Sequence, residues 1–214
     1  MAPLFETIKS FHDVRVSSEG IDTAGFLDAT DGVVAMFDLF GSKIFGFIQT
    51  DLRNNIGGVR TRYQSNQDAS KTLEELVKSE GTHGDQRHAT ACMVRLVRYV
   101  LQRYSHPYIH TVHSGLALIE HALKRMQDHP SDELHVCFKS AYDVVLRHHH
   151  AWVIRSVVTV AIRAVPHRRD FYHVISCGEP SDKFDPELKK WLQGLEVIVR
   201  RLKDFLEGGG YGRI

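Results

Sequence analysis

The chain has 214 residues, enough for one large domain or two small ones with a substantial core. Hydrophobic residues make up 43% and charged residues 25%, and a formal net charge of +1 provides no basic field for nucleic acid. Three cysteines without pair spacing, no secretory h-region and no bilayer-length apolar run predict a cytoplasmic protein with reduced thiols.

Helical periodicity dominates the chain after a lead-in, residues 1–20, that we expect to be weakly structured. Apolar residues recur at three- and four-residue steps, and no segment shows sustained strand alternation. The predicted helices run over about 22–40, 44–63, 71–80, 87–105, 114–128, 131–165, 171–175 and 187–206. The sequence therefore predicts one all-α domain of about eight helices, followed by a flexible tail, residues 207–214.

A polar stretch in the second predicted helix stands out because it follows a long apolar run. Asp51, Asn55, Gly58 and Arg62 lie along one helix face, since residues three and four apart are neighbours. The carboxylate and the amide form an acceptor–donor pair suited to a polar headgroup or an amide. The alternative is a solvated helix face on which Asn55 merely weakens the helix. The Gly57-Gly58 pair should weaken this helix further, by about 1 kcal/mol for each glycine.

Two arginines one turn apart, Arg95 and Arg98, lie among apolar residues of a later helix. Guanidinium groups match phosphate oxygens, so a cationic clamp is one interpretation. The other is that both side chains extend from the edge of the core into water.

Neither the histidines nor any common catalytic motif indicates an enzyme. Residues 148–150 are three consecutive histidines, which point about 100° apart on a helix and cannot hold one metal ion together. His106, His110 and His113 have a better spacing for zinc. However, Pro107 lies between them, and no further ligand is evident. A hydrolase built on Asp51 and His150 would lack a nucleophile, and no cofactor motif is present. We therefore expect neither catalysis nor a cofactor.

An ordered set of segments resembles the glycolipid transfer protein family, especially its fungal heterokaryon-incompatibility branch. The first and longest segment, FLDATDGVVAMFDLFGSKIFGFIQTDLRNNIGGVR, contains the polar stretch. The matching segments are residues 26–60, 72–80, 95–98, 141–155, 161–172 and 188–206. Each is weak alone, but together they are specific and predict a family domain over residues 21–206.

The resemblance implies a two-layer all-α sandwich that shields one sphingolipid and moves it between membranes without chemistry. Its expected partners are the sphingolipid and, transiently, a membrane surface, with no nucleic acid. Asp51 and His150 match the family residues that grip the ceramide amide. Trp152 resembles the membrane-docking aromatic at the portal. The expected residues lining the pocket for the lipid chains are Leu146, Val153 and Val157.

The headgroup positions depart from both branches of the family. Glycolipid-specific members carry a lysine where this chain has Gly58, and a tryptophan where it has Arg95. Ceramide 1-phosphate transfer members match Arg95 and Arg98, but carry a lysine in place of Asn55 and a further arginine at Ala91. We expect Asn55, Arg95 and Arg98 to contact the headgroup, and favour an anionic one over a sugar. A sphingolipid sensor or adaptor, or a transfer-inactive homologue, remains the alternative.

The second departure from the family is an insertion. The family helix that carries the arginines continues directly into the segment at Gly115, whereas residues 99–114 separate the two here. This insertion of 16 residues is either a lineage-specific loop beside the headgroup site or a retained small intron. Sequencing the transcript distinguishes the two.

Overall fold

The computed structural model describes residues 3–39, 46–81, 88–97, 115–178 and 180–211. These residues form ten α-helices and two 3-10 turns, Phe11–Asp13 and Arg147–His149, with no strand beyond two isolated bridges. The helices are α1 Leu4–Thr7, α2 Thr23–Leu39, α3 Gly46–Ser65, α4 Leu73–Gly81, α5 His88–Val97, α6 Gly115–Asp128, α7 Leu134–Val145, α8 Trp152–Arg163, α9 Arg168–Ser176 and α10 Ser181–Gly208. The all-α prediction is confirmed.

One continuous apolar core joins the helices. In it, α3 packs along α5, α5 along α6 and α6 along α7, while α10 crosses α5 and α6 and also contacts the N-terminal segment. Within the described ranges, no helix combines the length and the apolar character needed to cross a membrane.

The N-terminal segment packs against α10, so the expectation of a weakly structured lead-in is wrong. Phe5 and Phe11 are buried, and their rings lie 5.4 and 5.1 Å from that of Trp191. The two segments that contain them, α1 and the turn Phe11–Asp13, have four and three residues. Such short elements give no helical period, which is why the sequence pattern missed them.

Gly194 permits this packing, since a Cβ at that position would overlap the backbone of Phe11 and His12. We expect Gly194→Ala to lower the free energy of unfolding by about 3 kcal/mol, the upper range for overpacking, because backbone cannot move aside as a side-chain tip can. Thermal melting should record a Tm fall of roughly 6–12 °C. The control is Gly208→Ala, whose added Cβ meets no atom within 4 Å. Equal melting of the two variants would contradict the close contact.

A buried carboxylate fixes the end of the lead-in. Glu74 of α4 accepts a hydrogen bond from the Ile21 amide at 2.8 Å and pairs with the Arg201 guanidinium of α10 at 2.8 Å. Because burying a charge is unfavourable unless it is paired and hydrogen-bonded, these contacts explain how Glu74 is accommodated. Three segments distant in sequence are thereby held together.

The helix predicted over 131–165 is interrupted, and this part of the prediction is wrong. The chain leaves α7 at Val145, makes the turn Arg147–His149, and begins α8 at Trp152. His150 has extended backbone angles, φ −92° and ψ 135°, and its carbonyl accepts from the Arg155 side chain at 2.8 Å. Apolar residues continue in period on both sides of the break, so periodicity alone could not reveal it.

The last helix begins earlier than predicted. It starts at Ser181 and includes Pro186 in its second turn, where the missing N–H leaves the Asp182 carbonyl without its usual partner in the helix. At its other end, the Tyr211 ring packs on Phe205 with centroids 5.5 Å apart. This contact holds Tyr211, which lies in the predicted tail, against α10.

Candidate functional site

The polar stretch lies on the α3 face that packs against α5. Asp51 is half-buried, while Asn55 and Gly58 are buried. The Asn55 side-chain amide donates to the Asp51 carbonyl at 2.9 Å, which fixes the asparagine along the helix. One turn further, the Arg62 guanidinium donates to the Ser79 hydroxyl of α4 at 3.0 Å. The single helix face predicted from the spacing is therefore directed toward neighbouring helices rather than bulk water.

Asp51 is electrostatically unusual. Burial raises its pKa from the ordinary 3.8 to about 6, against the opposing effects of a hydrogen bond from the Asn55 side chain and the positive charge of Arg95. Arg95 is thus close enough to influence the carboxylate from the facing helix α5. The structure brings together Asp51, Asn55 and Arg95, three of the residues predicted from the sequence.

The raised pKa of Asp51 predicts a specific pH dependence of stability. Folding raises the proton affinity of this carboxyl, so ionised Asp51 destabilises the fold above pH 6, and the penalty disappears as pH falls from about 6 to 4. We expect Asp51→Asn to raise Tm at pH 8, with the gain shrinking toward zero at pH 4. Melting curves across this range test it, with exposed Asp28→Asn as control. A gain that is constant with pH would contradict it.

A buried carboxylate positions α5. Glu80 accepts hydrogen bonds from the Ala89 amide at 3.0 Å and from the Thr90 amide and hydroxyl, each at 2.6 Å. An acceptor at a helix N-terminus satisfies amides that have no partner within the helix. Glu80 therefore holds the start of the helix that carries Arg95. Sequence reasoning missed it, because this capping residue comes from the preceding helix and leaves no local signal.

His150 lies in the break between α7 and α8 and is only 3% exposed. Its Nδ1 lies 3.0 Å from the Tyr142 hydroxyl. Burial raises the pKa of Tyr142, so the phenol keeps its proton. With that hydroxyl donating to Nδ1, a neutral imidazole carries its own proton on Nε2, the tautomer that donates to a carbonyl. Tyr142 was not predicted as a site residue, since it occupies an ordinary core position in the helical period. The pairing of His150 with Asp51 on one ligand stays a prediction.

The predicted portal and pocket residues lie in different environments. Leu146 is buried in the core, whereas Trp152 is 77% exposed. Val153 and Val157, at 49% and 52% exposure, join Val160 on the outer side of α8. We call Trp152, Val153, Val157 and Val160 the α8 surface. The structure places Val153 and Val157 at the molecular surface, and their role in lining a pocket stays a prediction.

Several predicted features fall outside the described residues. They are Arg98, the insertion 99–114 and the three histidines considered for zinc, His106, His110 and His113.

Comparisons with known proteins agree with this fold and this motif order. A family model described as "Glycolipid transfer protein (GLTP)" matches residues 21–177. A glycolipid transfer protein of Aureobasidium melanogenum is 34% identical over 204 residues, covering 94% of this chain and 92% of that protein.

Two solved structures of similar fold extend the comparison. The fungal glycolipid transfer protein HET-C2 superimposes with a TM-score of 0.80 at 32% identity, covering 95% of this chain and 96% of that one. The GLTP-fold domain of FAPP2, described as selecting simple glycosphingolipids, superimposes with a TM-score of 0.82 at 26% identity, covering 97% and 96% of the two chains.

Proposed function

Because the chain belongs to the glycolipid transfer protein family, we propose that it binds one sphingolipid and transfers it between membranes without catalysing a reaction. The observation that supports this best is the half-buried Asp51 on α3, placed with Asn55 opposite Arg95 of α5. A carboxylate held at the edge of an apolar core suits a ligand with a polar group above lipid chains. No cofactor is needed for such a role.

Asp51 and His150 are proposed to recognise the ceramide amide. The Asp51 carboxylate accepts from the amide N–H and from a nearby hydroxyl, while His150 donates from Nε2 to the amide carbonyl. The Tyr142 hydroxyl lies within hydrogen-bond distance of Nδ1, and when it donates there, the proton of a neutral imidazole lies on Nε2, as this assignment requires. Leaving a buried amide unsatisfied costs about 1–3 kcal/mol, so this pair would favour sphingolipids over glycerolipids without an amide.

Arg95 is proposed to contact an anionic headgroup, with Asn55 beside it and Arg98 one turn away in sequence. A guanidinium can donate two parallel hydrogen bonds to a phosphate, an arrangement that a sugar hydroxyl does not reproduce. A sphingolipid that carries a phosphate is therefore the favoured ligand, and a neutral glycosphingolipid is the alternative.

The α8 surface is proposed to contact the membrane, with Leu146, Val153 and Val157 near the entry of the lipid chains. Tryptophan suits the interface between headgroups and hydrocarbon, and an exposed valine stripe extends the apolar area beside it. We expect Trp152→Ala to weaken vesicle binding and slow transfer roughly tenfold, since an apolar side chain is withdrawn from the bilayer. Vesicle co-flotation measures this, with exposed Val197→Ala on α10 as control. Equal binding by both variants would exclude the α8 surface.

The proposed compartment is the cytoplasm. Cys92, Cys137 and Cys177 form no disulfide in the structure. Reduced cysteines are typical of reducing compartments, where disulfides are rare.

Mass spectrometry of lipid that co-purifies with the protein, combined with a vesicle transfer assay, tests the proposed function. We expect a bound sphingolipid and transfer of fluorescent ceramide 1-phosphate faster than of galactosylceramide. A bound lipid with transfer at background would identify a sensor or adaptor instead. If no lipid is bound and none is transferred, the protein is an inactive homologue.

A further inference from the structure

Two adjacent glycines of α3 have opposite surroundings. A Cβ at Gly58 would overlap the Cys92 sulfur and would lie 3.2 Å from Cys92 Cβ and 3.1 Å from His88 Nε2. A Cβ at Gly57 would meet no atom within 4 Å. A side chain at position 58 would therefore require Cys92 to shift, whereas position 57 has room for one.

The residues that meet at this contact form two facing stripes. Asp51, Asn55 and Gly58 repeat at steps of four and three on α3, and His88, Cys92 and Arg95 do the same on α5. Gly58 faces His88 and Cys92. Arg95 acts on the charge of Asp51 at the other end of the stripe. The helices thus run antiparallel here, with the thiol between Gly58 at one end and Asp51 and Arg95 at the other.

Cys92 is part of this polar cluster although it is only 2% exposed. Its sulfur lies 3.7 Å from His88 Nε2. Burial raises the pKa of the thiol, the charge of Arg95 lowers it, and the charges of Glu80 and Asp51 raise it. These effects place the sulfur within electrostatic reach of the candidate headgroup residues. A thiol held neutral at this point fills space without adding charge.

From these contacts we infer that Cys92 determines headgroup selectivity. Its side chain occupies the space that a residue at position 58 would need, so the site takes its cation from Arg95 and prefers an anionic sphingolipid headgroup. The inference rests on the proposed function and deepens it. It makes positions 58 and 92 a coupled pair, in which a lysine at 58 requires a smaller residue at 92.

A double-mutant cycle tests the coupling without any lipid. Gly58→Lys should lower Tm by roughly 5 °C through overpacking, and adding Cys92→Gly should restore most of that loss despite the glycine's own helix penalty. Gly57→Lys is the matched control. Added to the wild type or to Cys92→Gly, it should leave the Tm of that parent unchanged or higher. If Gly58→Lys is insoluble, Gly58→Ala with and without Cys92→Gly gives the same comparison. Additive effects within the cycle would overturn the inference.

Headgroup selectivity provides the second measurement. With Gly58→Lys and Cys92→Gly combined, the ratio of galactosylceramide to ceramide 1-phosphate transfer should rise about tenfold, because the ammonium brings three donors to sugar hydroxyls. Gly57→Lys should leave this ratio unchanged. An unchanged ratio in the double variant would overturn the assignment of selectivity to Cys92, even if the stability cycle shows coupling. Failure of the wild-type protein to bind either lipid would instead overturn the proposed function, and the selectivity inference with it.

Discussion

Replacing Asp51 with asparagine is expected to reduce sphingolipid transfer about 10- to 100-fold, the loss that corresponds to one hydrogen bond to a charged group. Asparagine keeps the shape of the side chain but offers one acceptor oxygen in place of two, so its amide nitrogen would face one of the ligand's two donors, the N–H or the hydroxyl. The carboxylate is half-buried, so water compensates poorly for the lost acceptor. Transfer of fluorescent ceramide 1-phosphate between vesicles measures the effect directly.

The stability of the same variant separates loss of binding from loss of fold. Since burial raises the pKa of Asp51 to about 6, the neutral asparagine should make the unliganded protein more stable at pH 8. A variant that is more heat-resistant yet inactive would identify Asp51 as a binding residue that destabilises the fold. Wild-type transfer rates in Asp51→Asn would show that the carboxylate is not a ligand contact. Exposed Asp28→Asn should change neither property.

Helices with a one-sided apolar pattern were predictable from the sequence. The starts and ends of α2, α4 and α6 and the start of α5 fall within two residues of the prediction. Residues 98–105, which the prediction assigned to the same helix as α5, lie outside the described residues. In each of these helices, a stripe at three- and four-residue spacing faces a single core, so the local pattern and the tertiary environment agree. The face that carries Asp51 and Asn55 followed from the same geometry.

Features that depend on contacts distant in sequence were not predictable. The break before His150 occurs inside an uninterrupted apolar period, and the Arg155 contact that satisfies its backbone carbonyl is a tertiary detail. Glu80 caps a helix other than its own, so it matches no capping pattern in the sequence. Nor does the sequence show that Gly58 meets Cys92. From the sequence alone, a glycine indicates only a less stable helix. Its contact with the facing helix is visible only in the structure.

This contact changes how the departure from the glycolipid-specific motif is understood. In the sequence, Gly58 occupies the position at which glycolipid-specific members carry a lysine, so this chain lacks a cation there. In the structure, the Cβ of a lysine introduced alone would overlap the Cys92 sulfur, so we expect the two positions to change together. Restoring a glycolipid site by substituting only Gly58 and Arg95 would therefore leave the steric conflict in place. The proposed headgroup site therefore depends on residues of both helices.

Replacing Arg95 with glutamine is expected to reduce ceramide 1-phosphate transfer about 10- to 100-fold, because charge-assisted hydrogen bonds to a phosphate contribute roughly 1.5–3 kcal/mol. Galactosylceramide transfer should change far less, since its headgroup carries no charge. Glutamine retains the apolar stem and two donors, so packing at this edge of α5 is largely kept. The ratio of the two transfer rates is the measurement.

The pKa of the Asp51 carboxyl provides an independent test of the Arg95→Gln variant. Because the positive charge of Arg95 lowers the pKa of Asp51 against the effect of burial, its removal should raise that pKa above its wild-type value of about 6. Carbon-13 NMR of labelled aspartate follows this titration without lipid. Equal losses for both lipids would assign Arg95 a general structural role. An unchanged Asp51 pKa would show that the two side chains do not share one site, and a headgroup contact by Arg95 beside Asp51 would then be excluded.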